Sequence, residues 1–259
     1  MLYDAAMRRL CIVFVFFGAL VSASGTSIGL AYNIAKALMV LPEPWRGEVQ
    51  TRVQANCENF SRELTALLEN TDPDLLLLVD KEHALLDDYV PDDLVFLDAG
   101  KAVLNKKDMQ ARRAAAEALY AMIKAAKAEG ITLSVSSAYR SYHYQAGLFN
   151  RYVQELGEAE ASRVSAKPGH SQHQLGTAFD FGSVTNEFAV SRAGVWMEKH
   201  AGAYGFSLSY PQRLESLTGY SWESWHFRYI SVPAVRLQNA YFLGIQQLML
   251  MFVHAYQHG

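Results

Sequence analysis

The stretch Ser171-Gln172-His173-Gln174-Leu175-Gly176-Thr177-Ala178-Phe179-Asp180 decides which fold the chain is expected to adopt. From Gly176 to Phe181 it reads as a strand, in which Ala178 and Asp180 point to the same face. The small Ala178 keeps that face open and Asp180 enters it, while His173 lies in the preceding loop. The stretch therefore predicts a strand that brings a histidine and a carboxylate to one site.

A second stretch, Glu223-Ser224-Trp225-His226, supplies a matching pair of side chains. Positions three apart in a regular strand face opposite sides of the sheet. Both side chains can reach one site only if Glu223 lies in a turn or bulge before the strand and His226 lies inside it. Taken alone, this stretch also suits a solvent-exposed carboxylate and a packed core histidine.

Together the two stretches offer two imidazoles, one carboxylate ligand and one spare carboxylate. This set fits a catalytic zinc site, in which three protein ligands leave the fourth position open for water and a base lies beside it. The sequence therefore predicts a bound Zn²⁺ ion. A structural zinc site is disfavoured, since such sites are usually closed and rich in cysteine, and Cys11 and Cys57 are the only cysteines in the chain.

The pattern Ser-x-His-x-x-Gly-x-Ala-x-Asp followed by Glu-x-Trp-His resembles the zinc D-alanyl-D-alanine carboxypeptidases of the VanY type. Their relatives include VanX-type D,D-dipeptidases and bacterial L,D-carboxypeptidases. Ser136-Ser137-Ala138-Tyr139-Arg140-Ser141 resembles the upstream Ser-Gly-Tyr-Arg-Ser signature of this family, with Ala138 where glycine is usual. The resemblance covers about Asp88 to Ala240 and implies a zinc ion held by His173, Asp180 and His226.

The resemblance also implies roles for other residues. Glu223 would act as general base and then as general acid, and Arg140 would hold a substrate carboxylate or the oxyanion formed during attack. Gln145 would assist at the carboxylate, and Ser171 would either bind substrate or orient the motif. Without the resemblance, Arg140 also reads as a surface arginine in a turn. His170 would support the loop or the substrate cleft.

The substrate implied by the resemblance is the stem peptide of peptidoglycan ending in D-Ala-D-Ala. An L,D-carboxypeptidase or an endopeptidase could use the same site, because these enzymes differ in the loops that read the substrate. A different class would be a zinc-containing protein that binds cell-wall peptides without cutting them. Glu223 disfavours that class, since simple binding does not require a base.

The composition is that of a globular protein without the excess of basic residues that binding to polyanions requires. With 259 residues, of which 51% are hydrophobic, the chain can bury a full core. Its net charge of -3 provides no basic surface for nucleic acid or for an anionic membrane.

Residues 1–23 read as a signal peptide for export to the periplasm or cell envelope. Arg8 and Arg9 precede the apolar run Leu10 to Val21, and small residues follow at Val21-Ser22-Ala23. An uncleaved membrane anchor is the alternative, because no charged residue lies between Arg9 and Lys36.

The expected fold is α+β, with a central antiparallel sheet flanked by helices. A helical N-terminal extension over residues 24–87 would precede the zinc carboxypeptidase domain of residues 88–259. A separate targeting or wall-binding module is the alternative for the extension. Leu75 to Val79 reads as a strand, and Lys107 to Glu129 as a helix ended by Gly130. The uncharged residues 237–259 predict a packed terminal helix, with peripheral membrane contact as a further possibility.

Overall fold

The computed structural model describes residues 25–259, with side chains from Gly29 onward. The predicted signal peptide of residues 1–23 lies outside this range. Among the helices within it, none has the length and apolar character needed to cross a membrane.

A five-stranded sheet forms the centre of the domain. The strands within residues 25–259 are β1 (Leu94–Phe96), β2 (Val103–Leu104), β3 (Gln110–Arg112), β4 (Ser134–Ser137), β5 (Ala178–Phe181), β6 (Phe206–Leu208) and β7 (His226–Tyr229). The sheet has the order β2-β4-β5-β7-β6, and all its pairs are antiparallel except β2 with β4. β1 and β3 form a separate antiparallel pair.

Helices cover the sheet and build the N- and C-terminal parts of the described chain. They are α1 (Gly25–Leu38), α2 (Trp45–Ala55), α3 (Cys57–Asn70), α4 (Arg113–Ala128), α5 (Tyr142–Leu156), α6 (Glu158–Val164), α7 (Arg192–His200), α8 (Glu215–Thr218), α9 (Val232–Tyr241) and α10 (Gln246–His258). Short 3₁₀ helices lie at Pro73–Leu76, Gln172–Leu175, Asn186–Val190 and Ala201–Tyr204. The α+β fold expected from the sequence is confirmed.

The apolar side chains divide into two buried clusters. One lies under the sheet, where Phe179, Phe181 and Phe227 pack with the apolar stripe of α4. The other joins α1, α2 and α3 to α9 and α10. In it, the Phe60 ring lies 4.8 Å from the ring of Tyr241. The helical extension therefore shares its core with the C-terminal helices.

Three local predictions were wrong in detail. Leu75 to Val79 does not form a strand, because Asp72 caps a 3₁₀ turn through Asp74 N and Pro73 starts that turn. The helix predicted from Lys107 begins only at Arg113, since the residues before it pair with β1. The terminal segment forms two helices rather than one. A left-handed turn at Leu243 and Gly244, with φ of 60° and 71°, separates them.

Candidate metal centre and active site

The structure brings His173, Asp180 and His226 together in one buried cluster. Their exposed fractions are 0%, 6% and 4%. Asp180 Oδ2 lies 3.3 Å from His173 Nε2, and Asp180 Oδ1 lies 3.2 Å from His226 Nδ1. One ligand atom from each residue lies within 4.8 Å of the others. This geometry could hold one metal ion.

Local sequence explains how His173 and Asp180 reach this place. The Ser171 hydroxyl accepts a hydrogen bond from His173 N and starts the 3₁₀ turn of Gln172–Leu175. Gly176 ends that turn with a φ of 69°, a left-handed conformation that glycine adopts without strain. β5 then places Phe179 and Phe181 in the core under the sheet, so that Asp180 faces the opposite side.

Two hydrogen bonds fix which nitrogen of each histidine is free. His173 Nδ1 donates to the carbonyl oxygen of Ala138 over 2.7 Å, which leaves Nε2 for a ligand. His226 Nε2 donates to Gln172 Oε1 over 3.2 Å, which leaves Nδ1. Metal-binding histidines are oriented in this way by acceptors on their second nitrogen.

The chemistry of the donor set fits a zinc ion. His173 Nε2 and Asp180 Oδ1 are buried and lack hydrogen-bond partners, although buried polar atoms normally have one. Two imidazoles and one carboxylate form a mixed nitrogen and oxygen set of the kind that holds catalytic zinc. Its three members leave a coordination position for water.

The electrostatics keep His173 and Asp180 in the protonation states that metal ligands require. Burial, reinforced by the Arg140 charge, lowers the pKa of His173 to about 4. Burial opposes ionisation of Asp180, but His173 and His226 outweigh it and hold the pKa of Asp180 well below its usual range. His173 is therefore neutral and Asp180 ionised at neutral pH.

Glu223 lies beside the cluster but outside the strand. His226 N donates to Glu223 O over 3.3 Å and closes a turn that ends where β7 begins. Glu223 Oε2 is 3.4 Å from His226 Nδ1. Burial and the negative charge of Asp180 raise the pKa of Glu223 to about 8. The three-residue spacing requires this turn-then-strand arrangement.

A cavity of about 370 Å³ opens onto the cluster. Arg140 lines it, and the buried Nε of that side chain has no hydrogen-bond partner. The backbone N of Arg140 donates to His173 O over 3.2 Å. This hydrogen bond joins the arginine to the segment of residues 171–176 that carries His173, called the metal loop below. Arg140 is thus a cleft residue and not a surface arginine in a turn. Its guanidinium could bind a carboxylate or an oxyanion.

The sequence matches the VanY family, described as D-alanyl-D-alanine carboxypeptidase, over residues 108–232. The chain is 30% identical over 166 residues to VanXYC of Enterococcus gallinarum, named a bifunctional D-Ala-D-Ala dipeptidase and D-Ala-D-Ala carboxypeptidase. That match covers 61% of this chain and 84% of VanXYC.

The chain belongs to the VanY family.

Two further relatives are also similar to the chain. YodJ of Bacillus subtilis, which bears the name of a carboxypeptidase, is 39% identical over 170 residues, or 63% of this chain. The chain spans 62% of the length of YodJ, and 52% of a D-alanyl-D-alanine carboxypeptidase of Enterococcus faecium that is 28% identical.

Two solved structures of this family share the fold. The LdcB LD-carboxypeptidase has a TM-score of 0.60 and 34% identity, and the match covers 67% of this chain and 88% of LdcB. A mutant of the vancomycin resistance D,D-pentapeptidase VanY in complex with Zn(II) has a TM-score of 0.55 and 27% identity. That match covers 66% of this chain and 96% of VanY.

Ser171 and Gln145 occupy different places relative to the cavity of this VanY-family site. Ser171 lines the cavity and caps the turn that carries His173. Gln145 is buried on the first turn of α5 and does not line the cavity. Its amide nitrogen donates to Ala166 O over 2.7 Å. Ala166 lines the cavity. Gln145 therefore supports the wall of the cavity from behind and does not reach the cavity itself.

The replacement of the family glycine by Ala138 leaves the metal loop intact. Ala138 is not among the residues with positive φ, so alanine is tolerated there. Its carbonyl oxygen is the acceptor that orients His173. His170 supports the loop, because its Nδ1 donates to the backbone oxygen of Asp80 over 2.7 Å.

Sequence reasoning missed three residues around the site. Gln172 orients His226, and its place inside the metal motif was the available signal. The Tyr210 ring packs against the His226 ring at a tilt of 44°, with ring centroids 4.8 Å apart. Tyr220 lies 4.7 Å from Tyr210. Nothing in the sequence marks these tyrosines, because only folding brings them to the cleft.

Proposed function

We propose that the chain is a zinc-dependent D-alanyl-D-alanine carboxypeptidase that removes the terminal D-Ala from peptidoglycan stem peptides. The observation that carries the proposal is Glu223, a carboxylate with only 13% of its side chain exposed, which lies 3.4 Å from His226 and beside the buried histidine and aspartate cluster. A protein that only binds wall peptides would not need a buried base at this place. The names of VanXYC and VanY support the substrate class.

The proposed mechanism divides the chemistry between the metal and the side chains. A bound zinc ion would lower the pKa of water from about 15.7 to roughly 7 and so supply a nucleophile near neutral pH. His173, Asp180 and His226 would hold the ion. The positive charge of the ion would lower the pKa of Glu223 from about 8. Glu223 would then accept the proton of the attacking water and donate it to the leaving D-alanine amine.

Arg140 provides the positive charge of the proposed site. It lines the same cavity as Glu223 and Ser171. Its planar fork of donors can bind the C-terminal carboxylate of the peptide or the oxyanion formed at the attacked carbonyl. Ser171 keeps the metal loop in place, and Gln145 supports the cleft wall from behind.

L,D-carboxypeptidase activity on the same class of substrate is the second candidate. It is favoured by the similarity to LdcB, which has higher identity and TM-score than VanY. The metal cluster and Glu223 suit both reactions equally, because both reactions hydrolyse the peptide bond to a C-terminal D-Ala and differ in the residue before that bond. An endopeptidase would need the cavity to accept chain beyond that bond.

Mass spectrometry of defined muropeptides would separate these activities. The zinc-loaded protein is incubated with a pentapeptide ending in D-Ala-D-Ala and, separately, with the tetrapeptide ending in a single D-Ala. We expect loss of one alanine from the pentapeptide. Loss from the tetrapeptide alone would establish the L,D activity instead. If zinc binds but neither peptide nor any larger wall fragment is cut, the protein is a binding protein.

We also propose that the protein is exported and acts in the periplasm or cell envelope. The proposal rests on the sequence of residues 1–23 and on the substrate class. Cell fractionation with N-terminal sequencing of the mature protein tests it. A mature chain that begins near Ser24 indicates cleavage, an intact N-terminus in the membrane fraction indicates an anchor, and an intact chain in the cytoplasm refutes export.

A further inference from the structure

Lys81 lies outside the residues matched to the VanY family, yet it contacts two parts of the cleft wall. Its Nζ donates a hydrogen bond to the carbonyl oxygen of Ser162. The same Nζ is 3.4 Å from the centroid of the Tyr220 ring. One ammonium group therefore connects the last turn of α6 to a tyrosine that lines the cavity.

Gly219 makes this contact possible. Its φ is 75°, and a Cβ built on it would lie 2.5 Å from Lys81 Cγ. Any larger residue would therefore collide with the aliphatic part of Lys81 and would also be strained. The glycine lets the lysine pass behind the loop and reach the face of Tyr220.

The aromatic contacts continue from Tyr220 to a metal ligand. The Tyr220 ring is 4.7 Å from the Tyr210 ring, which is 4.8 Å from the His226 ring. The Tyr220 hydroxyl donates to His170 O over 3.3 Å, beside the metal loop. Movement of Tyr220 would thus change both the wall of the cavity and the packing around His226.

The Ser162 contact fixes the opposite side of the same wall. The residues that follow Ser162 at Val164, Ser165 and Ala166 line the cavity. A cation at a helix C-terminus is favoured, because the last carbonyls carry partial negative charge. Glu223 and Glu215 also attract Lys81, whereas Lys167 repels it. Burial, the largest influence, lowers the pKa of Lys81 to about 8.

We propose that Lys81 is a positioning residue for the substrate cleft, which holds the Ser162 carbonyl and the Tyr220 ring at a fixed separation. This inference rests on the proposed function, since the cleft is taken to bind the peptide. Lys81 does not line the cavity itself, so it acts through Tyr220 and α6. Its loss should weaken substrate binding more than it slows the chemical step, which Lys81 affects only through its charge on Glu223.

The test compares the variant Lys81→Met with a matched control, Lys101→Met. Lys101 also lies over a tyrosine, with Nζ 5.2 Å from the Tyr120 ring, but it contacts no part of the cleft. We expect Lys81→Met to raise KM about three- to tenfold, the range of a partly desolvated cation–π contact. Its kcat should change less than its KM, although loss of the Lys81 charge raises the pKa of Glu223, and its zinc content should be unchanged. Lys101→Met should match the wild type, and Lys81→Arg should restore part of the binding.

A double-mutant cycle with Tyr220→Leu tests whether the effect of Lys81 on KM depends on Tyr220. If Lys81 acts through Tyr220, Lys81→Met should raise KM much less in the Tyr220→Leu background. A KM for Lys81→Met equal to that of the wild type overturns the inference, and so does a full effect in both backgrounds. If Lys81→Met does not fold, Tyr220→Leu is measured alone. Its KM should be raised, and an unchanged KM overturns the inference.

Amide hydrogen exchange supplies a readout that does not depend on activity. Residues 158–166 and 217–223 should exchange faster in Lys81→Met than in the wild type, and Lys101→Met should leave them unchanged. Equal exchange in all three proteins would refute the positioning role. A wild-type protein that cuts no wall peptide would refute the proposed function instead, so the two failures remain distinguishable.

Discussion

Asp180 lies directly opposite His226 in the antiparallel pair of β5 and β7, and the two side chains meet at 3.2 Å. The pairing of two neighbouring strands therefore sets the spacing of two of the three candidate ligands. A slip of one residue would turn Asp180 into the core and away from His226. Phe179 and Phe227, paired beside them on the core side, oppose such a slip because both would leave the core.

Replacement of Glu223 by alanine should separate metal binding from catalysis. We expect Glu223→Ala to bind one zinc ion per chain as the wild type does, because Glu223 is not among the three clustered ligands. Its activity should fall about 10²- to 10⁴-fold, the usual contribution of a general base. Metal analysis and muropeptide kinetics measure the two effects, with the exposed Glu198→Ala as control. Normal cleavage by Glu223→Ala would show that the assigned mechanism is wrong.

Gln172 should tune zinc affinity without being a ligand. Its Oε1 accepts from His226 Nε2 over 3.2 Å and from Ser209 Oγ over 2.7 Å. Gln172→Leu should weaken zinc binding about 10- to 100-fold, since His226 loses the acceptor that orients it. Competition with a fluorescent chelator measures the affinity.

Gln174 provides the matched control for that experiment. It lies in the same 3₁₀ turn, but its amide donates to Leu86 O and Tyr89 O and not to a ligand. Gln174→Leu should lower the melting temperature and leave zinc affinity close to that of the wild type. Equal losses of affinity in both variants would mean that Gln172 acts only through the fold of the turn.

Arg140 should recognise the free carboxylate of the substrate. Arg140→Lys keeps the charge but loses the two-pronged geometry, so kcat/KM should fall about 10- to 100-fold. Kinetics on a peptide and on its C-terminal amide test whether Arg140 binds the carboxylate. The amide should be a poor substrate for the wild type. Arg140→Lys should cut the amide with the same kcat/KM as the wild type does. If Arg140→Lys lowers kcat/KM equally for both peptides, Arg140 binds the oxyanion and not the carboxylate.

The metal-free protein should lose stability in acid through His173. Its pKa is lowered to about 4 in the folded state from an ordinary value of 6.5, so the unfolded chain takes up the proton first. The stabilisation is complete above pH 6.5 and is lost as the pH falls towards 4. Between pH 7 and pH 5 the loss is about 2 kcal/mol, from the size of the pKa difference.

Urea unfolding of the wild type and His173→Gln in the presence of a chelator measures this contribution. Glu223 acts in the opposite sense, because its raised pKa lets the folded state bind a proton that the unfolded chain releases. The difference between the two proteins therefore isolates His173. The wild type should lose about 2 kcal/mol more than the variant between pH 7 and pH 5. If the free energy of unfolding changes equally with pH in the two proteins, the prediction is wrong.

The sequence predicted the elements near the metal motifs better than those elsewhere. Residues 178–181 and 226–229 form strands, as the two metal motifs predict. Leu75 to Val79 was read as a strand from its apolar run alone, and periodicity cannot separate such a run from a buried turn. Arg228 also escaped notice, although it is fully buried and donates to Leu75 O and Leu77 O. Its partners lie about 150 residues away in the chain.

The sequence by itself determined the ligand types and the turn before β7, because these follow from residue chemistry and from the alternation of side chains along a strand. Only the tertiary structure decided which atoms are free to bind a metal. The tautomer of His173 depends on the carbonyl of Ala138, and the tautomer of His226 depends on Gln172. The support of the cleft wall by Lys81 was likewise decided by folding. These contacts join distant parts of the chain, and their strength comes from burial, which no local pattern encodes.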